Sequence, residues 1–212
     1  MKKIYCISGL GADYRLFGNL SIPGYALVPL PWVPHTEKDT IPSYAMKMAQ
    51  QIPGKDPIIL GLSFGGMLAT EIAKQMPESK AILVSGAKTR AEVGFNSTLL
   101  QRLHSAIPAS WLPRPPAIIF YYLGATSAEE KTLLKDIIDH TDLAFLKWSI
   151  GAILTWNGTS APGNILQLHG TADRVLVPAN VKPDHWIKDG SHIMIYNRAE
   201  EIGKLIADYL AR

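Results

Sequence analysis

Pro57-Ile58-Ile59-Leu60-Gly61-Leu62-Ser63-Phe64-Gly65-Gly66 is the stretch that decides the reading of this chain. Its first four residues form a short apolar run, which suits a buried strand. The segment that follows, Met67 to Met76, places Leu68, Ile72 and Met76 at helical spacing. The order is therefore strand, tight turn, helix, with a serine at the apex. Such a turn pushes the serine oxygen out of the sheet. It also needs small neighbours, because a side chain at Gly61 or Gly65 would crowd the bent backbone. A helix that starts at the turn brings its unpaired N–H groups and positive end close to Ser63. This pattern is a nucleophile elbow; the bland alternative is a glycine-rich turn with a solvated serine.

A serine hydroxyl becomes nucleophilic when a base takes its proton, and the base needs an orienting acid. Working outward, His192 lies in Gly190-Ser191-His192, before the last helical segment. Asp173 lies in His169-Gly170-Thr171-Ala172-Asp173, just after an apolar run. The chain order Ser63, Asp173, His192 is the order this kind of sheet requires. Taken singly, His192 also fits a surface loop and Asp173 a turn former. His169 sits at the end of the strand and reads as a structural hydrogen-bonding residue. His169 and Asp173 are four apart, but in a turn rather than on a helix face, so no metal site is expected.

An oxyanion formed at Ser63 needs preplaced N–H donors. The backbone N–H of Phe64 is one candidate. The second comes from the turn Ser8-Gly9-Leu10-Gly11-Ala12-Asp13, with Leu10 preferred and Gly11 as fallback. The same Gly9-x-Gly11 turn invites a dinucleotide-binding reading, but Tyr14 occupies the third glycine position. No cofactor is expected.

Around this centre, apolar runs recur at Ile4 to Ser8, Tyr25 to Leu30, Ala81 to Ser85 and Ile165 to His169. A more polar run near Asp184 to Lys188 suits an edge strand. Helical patterns alternate with them. One carries Tyr44, Met48 and Ile52, with Ser43 as its expected N-cap. Another carries Ile202, Leu205, Ile206 and Tyr209, with Asn197 as expected N-cap and Glu200 three residues on. Strand–helix alternation predicts an α/β fold with a mainly parallel sheet of about six strands flanked by helices.

Residues 91–162 break the rhythm. Helical patterns appear at Leu99, Leu100, Leu103 and Ile107, at Leu133, Leu134, Ile137 and Ile138, and at Phe145, Leu146, Ile150, Ile153 and Leu154. Pro108, Pro113, Pro115 and Pro116 interrupt them. The interval predicts a helical insertion over the carboxyl end of the sheet, where open α/β sheets bind ligands. It splits the core into 1–90 and 163–212. Trp111, Tyr121 and Trp148 from the insertion, with Trp32 from the core, are the candidate pocket aromatics. For each of them, core packing is the competing role.

The chain has 212 residues, enough for one large core with a modest insertion. Its net charge of +3 is mild and scattered, which argues against a nucleic-acid surface. The one cysteine, Cys6, lies in the first apolar run and reads as a buried core thiol. Lys2 and Lys3 precede an apolar stretch, but Gly9, Gly11, Asp13 and Arg15 cut it too short for a signal peptide. No segment approaches a membrane span. A cytoplasmic protein is expected.

Ser63 in G-x-S-x-G-G, Asp173 in H-G-x-x-D and His192 in G-S-H together resemble the α/β-hydrolase superfamily, over nearly the whole chain. The resemblance implies a short member starting at what is usually the third strand, with 91–162 as the cap. Two departures stand out. Ser8-Gly9 replaces the frequent His-Gly. Leu30-Pro31-Trp32-Val33-Pro34-His35 stands where Pro-Gly-His-Gly is common, implying a differently shaped pocket edge. The resemblance further implies acyl-bond hydrolysis through a serine acyl-enzyme, on an ester or thioester of a small apolar acyl group. Ser63 excludes the aspartate nucleophile of related dehalogenases and epoxide hydrolases. Carbon–carbon bond hydrolysis and non-catalytic small-molecule reception are the alternatives on the same scaffold.

Overall fold

The computed structural model describes residues 1–94 and 116–211. The expected helix through Leu99 and Ile107, the prolines 108, 113 and 115, and Trp111 lie outside the described residues.

Among the described residues there are six strands, β1 (Lys2–Ile7), β2 (Tyr25–Pro29), β3 (Ile58–Leu62), β4 (Lys80–Val84), β5 (Ile165–Gly170) and β6 (His185–Ile187). They form one parallel sheet in the order β2-β1-β3-β4-β5-β6. The run near Asp184 to Lys188 is an edge strand, as its polarity predicts. The central strands are apolar on both faces because both are covered. Tyr5, Ile7, Ile59, Ala81 and Leu83 face one layer, whereas Ile4, Cys6, Leu60, Leu62, Ile82 and Val84 face the other. This is the period-two alternation of a strand, hidden in sequence because both alternating sets are hydrophobic.

Helices α1 (Ile41–Ala49) and α2 (Phe64–Gln75) cover the first face through Tyr44, Met48, Leu68 and Ile72. The short α7 (Met194–Asn197), α8 (Ala199–Leu210) and the 3-10 turn Tyr14–Phe17 cover the second. A four-residue helix, α3 (Arg90–Val93), follows β4. The described part of the insertion is helical, as expected: α4 (Pro116–Leu123), α5 (Ala128–Asp139) and α6 (Leu143–Thr155).

Two helix starts differ from expectation. Helix α1 is capped by Thr40, and Ser43 is the third helical residue of the reciprocal pair. Thr40 N–H donates to Ser43 Oγ at 2.9 Å, and Ser43 N–H to Thr40 Oγ1 at 3.3 Å. Capping at Thr40 lets Pro42 sit in the first turn, where its missing N–H costs nothing. The last helix starts after Arg198, not Asn197. Asn197 ends α7, and its side-chain amide donates to Glu130 Oε1 at 2.8 Å, which ties α5 to the core.

Strand order reverses between β1 and β3: the chain steps outward to β2 on one side and to β4, β5 and β6 on the other. The crevice at such a reversal, outside the carboxyl ends of the strands, is the natural ligand position. Ser63 follows β3 at that point.

Candidate active site

Ser63 adopts φ 53° and ψ −115°, a conformation that non-glycine residues rarely hold. The surrounding glycines explain how it fits. A Cβ on Gly61 would overlap the Gly65 carbonyl, and one on Gly65 would overlap the carbonyls of Ile7 and Ser8. The turn is thus pressed against β1 with no room for side chains. Ser63 N–H donates to Val84 O at 3.0 Å, fixing the apex to β4. Helix α2 begins at the next residue, so Phe64 N–H is one of the donors a helix start leaves unpaired. The Gly9 loop lies alongside: a Cβ there would be 3.3 Å from Ser63 Cβ. Leu10 and Gly11 of the same loop line the cavity at Ser63.

The structure brings together the three residues that chain order singled out. Asp173 sits in the loop after β5, 3 % exposed. Its Oδ1 accepts N–H groups from Val175 at 2.8 Å and Leu176 at 3.0 Å. Its Oδ2 pairs with His192 Nδ1 at 2.8 Å. His192 Nε2 lies 2.8 Å from Ser63 Oγ. Because the carboxylate only accepts, Nδ1 carries the proton, and Nε2 is left to accept the Ser63 hydroxyl. Burial opposes ionisation of Asp173, but the adjacent His192 and the loop N–H groups outweigh it and hold its carboxyl below the usual range.

His169 is fully buried, and its Nε2–H donates to Leu176 O at 2.8 Å, closing the same loop. Burial lowers its pKa, so it is neutral. Its role there is structural hydrogen bonding, as its place at the strand end suggests. His140 Nδ1 bonds Asp136 O at 2.8 Å, and His35 stacks on Trp148 at 4.9 Å. Among the described residues no three His, Cys, Asp or Glu side chains are grouped to hold a metal ion. No described helix is long and apolar enough to cross a membrane.

The cavity at Ser63 has a volume of about 360 Å³. Ser63, His192, Gly9 and Leu10 line one end of it. Leu16, Ile119, Leu123, Leu134, Ile137, Ile138, Leu146, Ile150 and Ile193 make the rest aliphatic. The described candidate aromatics stand elsewhere. Tyr121 is 60 % exposed, with the Arg174 guanidinium 4.2 Å over its ring; its helix turns Ile119 and Leu123 inward instead. Trp148 packs on Tyr44 at 4.6 Å and donates its indole N–H to Asp39 O at 3.2 Å. Trp32 packs on Phe145 at 4.8 Å. Trp32 and Trp148 thus fasten the insertion to the core. Helical periodicity marked Ile137, Leu146 and Ile150 as apolar faces, but could not distinguish a cavity wall from a packed one.

The loop that carries His192 is also tied to the insertion. Ile193 N–H donates to Leu123 O, the last residue of α4, at 3.3 Å. The neighbouring Gly124 has φ +77° and lies so close to Ser191 that a Cβ there would collide with it.

No protein-family model and no curated protein sequence matches the chain. Solved structures do. An enol-lactonase from Burkholderia xenovorans LB400 matches with a TM-score of 0.74 at 17% identity, covering 100% of this chain and 92% of that one. A thermophilic esterase from Thermogutta terrifontis gives 0.72 at 14%, covering 100% and 90%. An epoxide hydrolase from Bacillus megaterium gives 0.71 at 12%, covering 100% and 94%. The sheet order, the strained turn after β3 and these full-length matches establish that the chain has the α/β-hydrolase fold.

Proposed function

We propose that this protein is a serine hydrolase that cleaves esters or thioesters of small, largely apolar acyl groups. The observation that carries the reading is the unbroken chain from Asp173 Oδ2 through both His192 nitrogens to Ser63 Oγ, each link 2.8 Å long. This chain ends in an aliphatic cavity.

Ser63 Oγ attacks the acyl carbon while His192 Nε2 takes its proton. Asp173 holds the imidazole in the needed tautomer and stabilises the imidazolium. The N–H groups of Phe64 and Leu10 stabilise the oxyanion. The tetrahedral adduct collapses, and His192 returns the proton to the departing alcohol or thiol. Water then attacks the acyl-enzyme, losing its proton to His192, and Ser63 is released with a free carboxylic acid. No cofactor enters these steps. The solved structures of this fold include an enol-lactonase and an N-acyl homoserine lactonase. A lactone is a cyclic ester, so lactones belong in the substrate panel.

Short-chain p-nitrophenyl esters, thioesters and lactones, with a fluorophosphonate adduct located by mass spectrometry, test the reading. Ester turnover and an adduct on Ser63 are expected. Ser63→Ala should stay folded and lose at least about three orders of magnitude in rate. Full activity in that variant overturns the mechanism. A folded wild type that neither labels nor turns over, yet melts higher with ligand, points to a receptor.

A further inference from the structure

A second cavity, of about 400 Å³, lies beside the one at Ser63. Trp32, Val33, Pro34 and Phe145 give it an apolar wall, and Asp13, His35, His140 and Asp142 a polar one. The two cavities share four lining residues: Gly11, Ala12, Ile137 and Thr141. The partition is therefore a contact between the loop after β1 and the α5 end of the insertion. Its backbone side is tight. Gly11 has φ +62°, and a Cβ there would meet Thr141 and Leu146 at 3.6 and 3.8 Å. Thr141, just past the end of α5, places its Oγ1 2.8 Å from Ile137 O and 3.4 Å from Gly11 O, so its hydroxyl sits in the contact itself. Gly11 and Ala12 contribute almost no side chain. Ile137, 4 % exposed, is the largest side chain of the four.

We propose that Ile137 is the specificity-determining residue that limits the length of acyl chain accepted at Ser63, by closing the first cavity off from the second. The inference rests on the serine hydrolase reading. An acyl carbon bound at Ser63 sends its chain into this cavity, whose described lining beyond Ser63 and His192 is mainly aliphatic. A chain that outgrows about 360 Å³ meets Ile137. Truncating Ile137 opens the neighbouring space of about 400 Å³, which roughly doubles the room available. Each further methylene that becomes buried then gains about fourfold in kcat/KM.

The test is a p-nitrophenyl ester series from acetate to myristate, run on wild type, Ile137→Ala, Ile137→Val and Leu133→Ala. Leu133 lies on the same helix but lines neither cavity. The expected result is a shift of the Ile137→Ala optimum to longer chains, by at least about fourfold relative to acetate for each added methylene. Ile137→Val should shift less, and Leu133→Ala should keep the wild-type profile. If Ile137→Ala does not fold, Ile137→Val carries the test. A folded Ile137 variant that labels at Ser63 and hydrolyses acetate with an unmoved profile overturns the inference alone. An equal shift in Leu133→Ala overturns it too, by making the effect one of general loosening. A wild type that neither labels nor hydrolyses any ester overturns the hydrolase reading, and this inference with it.

Discussion

Gly170 and Gly190 touch backbone to backbone, so closely that a Cβ on Gly170 would overlap the Gly190 carbonyl. Gly170 ends β5 and leads to Asp173; Gly190 leads to His192. Ala172 N–H donates to Gly190 O at 3.0 Å in the same contact. The hydrogen bond between Asp173 and His192 thus depends on a contact of two residues without side chains. Gly170→Ala must push the two loops apart. Overpacking of this kind costs about 2 kcal/mol, or about 4–8 °C in Tm for a chain of this size. Fluorophosphonate labelling of Ser63 should slow as well. A Tm and labelling rate equal to wild type would show that the loops yield freely.

Asp173→Asn should cost more than a lost charge. Its oxygen would stay with the N–H groups of Val175 and Leu176, because only an oxygen can accept them. The amide NH2 would then face His192 Nδ1 and force the proton to Nε2, toward Ser63. A drop of about 10⁴ in kcat is expected for this wrong tautomer. Thermal melting of the same sample checks that the variant remains folded.

Stability should fall in acid in two stages. Burial depresses the pKa of His169, and that of Asp173 is depressed in spite of its burial, so the unfolded chain binds these protons more readily than the folded one. Their stabilisation is complete above the unfolded values. It fades as pH falls, first below about 6.5 for His169 and then below about 4 for Asp173. His169→Gln keeps an N–H donor for Leu176 O but does not titrate. Its Tm should lose the upper stage and keep the lower one, in melts recorded from neutral pH to pH 3.

Glu71 is a buried carboxylate whose Oε1 accepts the Trp156 indole N–H at 2.8 Å and pairs with Lys74 at 2.7 Å. Glu71→Ala leaves the buried indole N–H without an acceptor. Leaving such a donor unsatisfied costs about 1–3 kcal/mol, readable as a lower urea midpoint. Glu71→Gln, which retains an acceptor, should lose less.

Burial pushes the Cys6 thiol up to about 12. Native protein should therefore resist iodoacetamide at neutral pH, and denatured protein should react at once. Mass spectrometry of the alkylated protein distinguishes the two.

The strands were legible because most central ones are apolar runs, and a run such as Ile58 to Leu60 has few other uses. That Ser63, Asp173 and His192 meet was legible because chain order and loop position restrict such residues more than composition does. The helix starts were less so: Ser43 and Thr40 both carry hydroxyls, and the position of Pro42 inside the first turn decides between them. The cavity wall was not legible. Trp148 and Ile150 both show the apolar pattern of α6, but only packing against Tyr44 or against empty space separates a fastener from a lining. Glu71 and Trp156 stand 85 residues apart in sequence, and no local pattern joins them.

The bond from Ile193 to the carbonyl of Leu123, and the press of Gly124 on Ser191, give the insertion a hold on the loop that carries His192. The position of the imidazole, and with it the 2.8 Å reach to the Ser63 hydroxyl, thus depends on a segment far from it in the chain as well as on its own loop.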